Sequence, residues 1–166
     1  MNKHIIWLFT LLVFVLAGCE KDEIGNTATE ALAGEWKVTV DAVDEGGNVI
    51  AEDCYGLGHI LMNTYNTAAN TPTEMYVDDI GNFWKYKIRV KSDVNALTFA
   101  TNGAAPNEAD ECDVTIDGGK ILLGAATTPH GTPADSIVYY ISFSDDEPGM
   151  RYKVSGYRYT GLAVDD

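Results

Sequence analysis

The chain has 166 residues, with 25 acidic against 11 basic side chains and a formal net charge of −14 at neutral pH. That length suits one domain able to bury a real core. The acidic balance excludes a nucleic-acid binder, whose partner's phosphates demand a basic surface, and a domain held flat on an anionic membrane by its own charge.

Met1-Asn2-Lys3-His4 gives a positively charged start, and Ile5 to Leu16 is an unbroken apolar or hydroxyl-bearing run. It matches a signal-peptide core of about 7–15 residues and falls short of the roughly 20 apolar residues of a spanning helix. The run closes on Leu16-Ala17-Gly18-Cys19, which resembles the processing site of bacterial lipoproteins, where Cys19 becomes the acylated N-terminus. Each buried acyl methylene contributes about 0.8 kcal/mol, so two or three chains anchor stably where one does not. Lys21-Asp22-Glu23 resembles the signal that sends Bacteroidetes lipoproteins to the outer face of the outer membrane, the alternative being a solvated linker. The expected organisation is a signal peptide over 1–18, a lipidated tether over 19–33 and a β domain over 34–166.

The tether is polar and small, with one possible helical turn at Glu30-Ala31-Leu32-Ala33. From Gly34 the pattern has period two: Trp36, Val38, Val40 and Ala42 share one face of a strand, and Lys37, Thr39 and Asp41 take the other. Asp44-Glu45-Gly46-Gly47-Asn48 reads as a hairpin turn into 49–53. Further strands are expected over 59–65, 74–78 and 83–91, the last with Trp84, Tyr86, Ile88 and Val90 opposite Lys85, Lys87, Arg89 and Lys91. Then come 96–101, 112–116, a hairpin at Asp117-Gly118-Gly119 into 120–126, the two-sided apolar strand 136–143, and 150–159. Eight to ten short strands between turn signals, with no convincing helix, predict an all-β antiparallel fold. Sequential hairpins favour an up-and-down barrel over the alternative, a β-sandwich.

Gly34-Glu35-Trp36 resembles the Gly-x-Trp that opens the first strand of lipocalins, where the tryptophan packs at the closed end. Leu32-Ala33-Gly34-Glu35-Trp36-Lys37-Val38-Thr39-Val40, Tyr55-Gly56-Leu57-Gly58-His59, Gly81-Asn82-Phe83-Trp84, Pro133-Ala134-Asp135-Ser136-Ile137 and Lys153-Val154-Ser155-Gly156-Tyr157-Arg158 are similar to a family of Bacteroidetes lipoproteins described as lipid-binding putative hydrolases. The resemblance implies a lipocalin-like barrel and lipid binding; it brings no catalytic motif.

Chemistry is otherwise sparse. There is no Gly-x-Ser-x-Gly, no His-Glu-x-x-His, no phosphate loop and no Cys-x-x-Cys, so neither a metal site nor a cofactor is expected. The best hydrolytic constellation is His130, Asp135 and Ser136, on or beside one loop, against a solvated histidine and two loop-end residues. Acidic turns such as Asp78-Asp79 and Asp145-Asp146-Glu147 lack EF-hand spacing and read as solvated turns. The basic stripe from Lys85 to Lys91 reads as an outer strand face paired with acidic neighbours, or as a headgroup site. Cys54 and Cys112 remain once Cys19 is lipidated, forming either one disulfide in an oxidising compartment or two separate buried thiols. Trp36, Trp84, Tyr86, Tyr139 and Tyr152 are the candidate lining of an apolar cavity, or ordinary core. The functional expectation is an outer-membrane, cell-surface lipoprotein whose barrel takes a lipid or other hydrophobic small molecule. The alternatives are an esterase-like hydrolase using Ser136 and His130, and a glycan or protein interaction module using Tyr157 and Tyr159.

Overall fold

The structure, a computed structural model, describes residues 25–162; the expected signal peptide, Cys19 and the start of the tether lie outside them. Ten strands follow one 3-10 turn at Glu30–Leu32: β1 (Gly34–Val43), β2 (Val49–Ala51), β3 (Ile60–Asn66), β4 (Glu74–Asp78), β5 (Lys87–Asp93), β6 (Thr98–Ala100), β7 (Ala105–Pro106), β8 (Asp113–Thr127), β9 (Pro133–Phe143) and β10 (Tyr152–Arg158). The antiparallel order β10-β9-β8-β6-β5-β4-β3-β1 closes on itself, because β10 also pairs with β1 from Trp36 opposite Arg158 to Ala42 opposite Tyr152. Eight strands thus make the expected up-and-down barrel, with β2 and β7 added beside β1 and β8. A sandwich would lack that closing pairing.

Closure needs β10 to lie unusually near β1. A Cβ on Gly156 would stand 1.9 Å from the Lys37 carbonyl oxygen, so only glycine fits. Along β1 the alternation is as read: Trp36, Val38, Val40 and Ala42 point inward. Trp36, Val38, Met62, Ile88, Tyr139 and Ile141 all show 0% exposure. A side chain facing a water-sized void would keep some accessible surface, so the middle of the barrel is filled by side chains and has no room for an acyl chain.

One end is sealed. The Trp36 indole donates to Thr64 Oγ1 at 2.9 Å, and Thr64 donates to the Leu32 carbonyl at 2.6 Å, which draws the 3-10 turn across the barrel. The Arg158 guanidinium lies over the Trp36 ring, 4.3 Å from its centroid, and donates to the Ala33 carbonyl at 2.6 Å. The other end is covered by the loops 44–59, 79–86, 101–112 and 144–151.

Two expected elements differ. Asp117-Gly118-Gly119 is a bulge inside one long strand: β9 pairs on both sides of it, Asp117 opposite Tyr140 and Lys120 opposite Val138. Gly118 takes φ 62°, and a Cβ on Gly119 would meet the Phe99 ring at 2.5 Å, so the glycines serve a bend and a close approach where a reversal was expected. The strand expected from Phe83 starts only at Lys87; residues 79–86 form a loop with positive φ at Ile80, Gly81 and Lys85.

Candidate functional site

Loop 79–86 is built around one carboxylate. Asp79, 1% exposed, accepts the backbone N–H groups of Gly81, Phe83, Trp84, Lys85 and Tyr86 at 2.9 Å each. The anion satisfies donors that no strand partner supplies. It turns Phe83 and Trp84, neighbours that a strand would place on opposite faces, into one aromatic cluster.

Trp84 stacks on Phe143, centroids 4.8 Å apart with the planes at 14°, and its indole donates to Asp145 Oδ1 at 3.3 Å. Phe83 meets Tyr152 edge-on at 5.3 Å. Tyr55, from the loop after β2, reaches over both, 5.6 Å from Phe83 and 5.8 Å from Tyr152, and stays 50% exposed. Tyr152 donates its one hydroxyl proton to Asp146 at 2.7 Å, so the 2.7 Å bond between the tyrosine hydroxyls has Tyr55 as donor. Burial first, then the bonds with Tyr55 and Asp146, hold the Tyr152 hydroxyl far above its ordinary range, so it stays a neutral donor. Beneath the cluster Tyr139 donates to Met62 Sδ at 3.2 Å, which leaves Tyr86 as donor in the 2.5 Å bond to Tyr139.

The cluster lines the first of two hollows that share Asp110. One, of about 290 Å³, is lined by Gly81, Phe83, Trp84, Lys85 and Asp145; the other, of about 460 Å³, by Asn107, Glu111, Cys112, Asp113 and Ser144 among others. Both open to solvent. Ligand pockets span roughly 300–1,000 Å³, so the first hollow falls just below that range and the second lies at its small end. Carboxylates surround them; Lys85, 3.4 Å from Asp110, is the cation between.

The expected lining residues therefore divide. Trp36 seals the far end, Tyr86 and Tyr139 fill the middle, and Trp84 and Tyr152 stand at the mouth. Sequence reasoning missed Tyr55, Phe83, Phe143 and Asp79 as members. The signal for Phe83 was its place beside the Asp79-Ile80-Gly81-Asn82 turn; Tyr55 and Phe143 gave none.

The hydrolytic constellation is not assembled. Ser136 Oγ donates to the Gly156 carbonyl at 2.9 Å, while Asp135 accepts from Arg158 Nε at 3.1 Å and from the Gly124 N–H at 2.9 Å. Neighbours on β9, they face opposite ways, and His130 is an exposed residue of the 128–132 loop. The expected disulfide is absent: Cys54 and Cys112 are free thiols. Cys54 Sγ donates to the Val40 carbonyl at 3.5 Å, Cys112 Sγ accepts from Asn107 at 3.4 Å, and burial pushes both thiols up. On the basic stripe, Arg89 sits 3.3 Å from Glu108 and Lys87 lies over the Tyr76 ring at 4.6 Å, an outer face paired as read. His59 packs on Tyr157 at 5.6 Å. Among the described residues no group of three or more His, Cys, Asp or Glu side chains is placed to hold a metal ion.

A family model described as lipid-binding putative hydrolase matches residues 21–163, most of the chain. A search of curated proteins returns no match.

Proposed function

From the premise that the chain belongs to the lipid-binding putative hydrolase family, we propose that its lipid-binding site is the loop-covered aromatic mouth, not the barrel interior. The observation that carries this reading is the contrast between a middle with no accessible surface and a mouth where Phe83 and Trp84 line an open hollow, with Tyr55 half exposed beside them. An acyl chain lies along Phe83, Trp84 and Tyr55, and its polar end meets Asp145, Asp110 and Lys85. Carboxylates crowding the mouth, on a chain of net charge −14, favour an uncharged or zwitterionic headgroup over a fatty-acid anion. Leu16-Ala17-Gly18-Cys19 supports a lipid-anchored location at the outer membrane, with the domain at the cell surface. Nothing in the geometry of Ser136 or His130 supports ester hydrolysis.

Equilibrium binding of lysophosphatidylcholine, a monoacylglycerol and the matching fatty acid tests the assignment. Trp84→Ala and Tyr55→Ala are expected to weaken binding of the first two by about tenfold or more, roughly 1.4 kcal/mol. The fatty acid is expected to bind least. Unchanged affinity in both variants contradicts the assignment.

A further inference from the structure

Exposed large apolar side chains fall into two groups. One, with Ile50, Tyr55 and Ile80, belongs to β2 and the loops around the mouth. The other is Leu122, Leu123 and Leu162, exposed by 43%, 67% and 55%, at the sealed end. Leu122 and Leu123 sit where β8 runs on past the end of β6 while β9 keeps its pairing with β10. β6 pairs with β8 only at Gly119 and Lys120, and one further bond, Ile121 N–H to the Leu97 carbonyl at 2.9 Å, ends that contact. Beyond it the β8–β9 ladder slips between Leu122 and Ala126, with Gly124 at φ 60°, so Leu123 stands on the bulge and Leu122, still opposite Ser136, at its edge.

We propose that this sealed end, led by Leu122 and Leu123, rests on the surface of a lipid bilayer while the aromatic mouth faces away from it. The proposal rests on the reading of Cys19 as a lipidated residue. Two observations name the bilayer as the occupant. The first is where the chain leaves the domain: the Ala28 N–H donates to Asn70 Oδ1 at 2.8 Å, in the β3–β4 loop at the sealed end. Cys19 lies nine residues earlier, at most about 30 Å of extended chain. A lipid on Cys19 therefore keeps the sealed end, where the chain enters the domain, within about 30 Å of the membrane.

The second is charge. The mouth loops carry Asp44-Glu45, Glu52-Asp53, Asp110-Glu111 and Asp145-Asp146-Glu147. In the sealed-end segments 26–33, 67–73, 94–97, 128–132 and 159–162, Glu30 is the one acidic residue among those described. Threonine, alanine and asparagine make up most of the rest. A negatively charged membrane repels the mouth, whose loops concentrate the carboxylates, more than the sealed end, where Glu30, Glu35, Asp93 and Asp135 are spread out and leucines form the tip.

The full chain, purified with its anchor and reconstituted into vesicles of dibrominated phosphatidylcholine, tests this orientation. Leu123→Trp and Ile50→Trp place a reporter at each end, on side chains already exposed, over the same background tryptophans. The added emission of Leu123→Trp is expected to be mostly quenched, and that of Ile50→Trp preserved. If the chain floats with the vesicles and Leu123→Trp is no more quenched than Ile50→Trp, the contact is overturned and the anchor stands. If the chain does not float with them, the lipidation of Cys19 fails and the proposal with it.

Discussion

At the scale of single residues, Asp79 decides more than any aromatic it positions. Its carboxylate, 1% exposed, is the acceptor for five N–H groups of one loop. Bonds to a charged acceptor contribute more than neutral ones, and buried donors left unpaired are costly. Asp79→Ala is expected to lower stability by about 3 kcal/mol and to shift Trp84 emission to the red, measured by urea unfolding followed through tryptophan fluorescence. A loss under about 0.5 kcal/mol would place the loop's stability elsewhere. The turn at Asp79 was legible in the sequence; the carboxylate's donors were not, because positive φ at Ile80 and Lys85, residues that rarely adopt it, brings them together. The buried tyrosines supply the pH dependence. Burial first, then the Tyr139 hydroxyl beside it, raises Tyr86 well above its ordinary value, and burial raises Tyr139 likewise. Below the unfolded value near pH 10 both states are protonated and stability is complete. Above it only the unfolded chain ionises, so stability falls by up to about 1.4 kcal/mol per pH unit for each tyrosine. Tyr139→Phe is expected to make that decline shallower between about pH 10 and 11.5, read from urea midpoints; an unchanged slope would contradict burial of the hydroxyl.

At the scale of elements, the barrel stands on a few glycine contacts that periodicity does not report. Gly156 lets β10 approach β1, and the nearest atoms to an added Cβ there are backbone, which cannot swing aside. Gly156→Ala is therefore expected to cost about 3 kcal/mol or more, or to prevent folding, as measured by thermal melting; a variant within about 0.5 kcal/mol of the parent would mean the closing pair is looser than described. Most strands were legible because alternation marks any strand with one wet face, and Trp36 to Ala42 is the clearest case. It misled at two places. Trp84 keeps the parity of Tyr86, Ile88 and Val90, so a loop residue read as a strand residue. Asp117-Gly118-Gly119 has the composition of a hairpin turn, and only the unbroken pairing with β9 makes it a bulge.

At the scale of the whole molecule, the chain is a barrel sealed by Trp36 and Arg158, filled through its middle, and faced with aromatics at the opposite end. Closure and the sealed end were legible through Gly34-Glu35-Trp36 and the sequential hairpins. Whether the interior is hollow was not, because the same inward apolar residues either fill a barrel or line a cavity, and their packed volumes decide between the two. Lipid is held at the mouth in this reading, and the proposed function depends on that. The most direct test titrates brominated lysophosphatidylcholine, below its micellar concentration, into the chain from Cys19 onward, which carries Trp36 and Trp84, while following tryptophan emission. Quenching is expected in the parent and is expected to disappear in Trp84→Phe, leaving Trp36 emission untouched. Quenching of the remaining Trp36 emission in Trp84→Phe would put the lipid inside the barrel and contradict the reading.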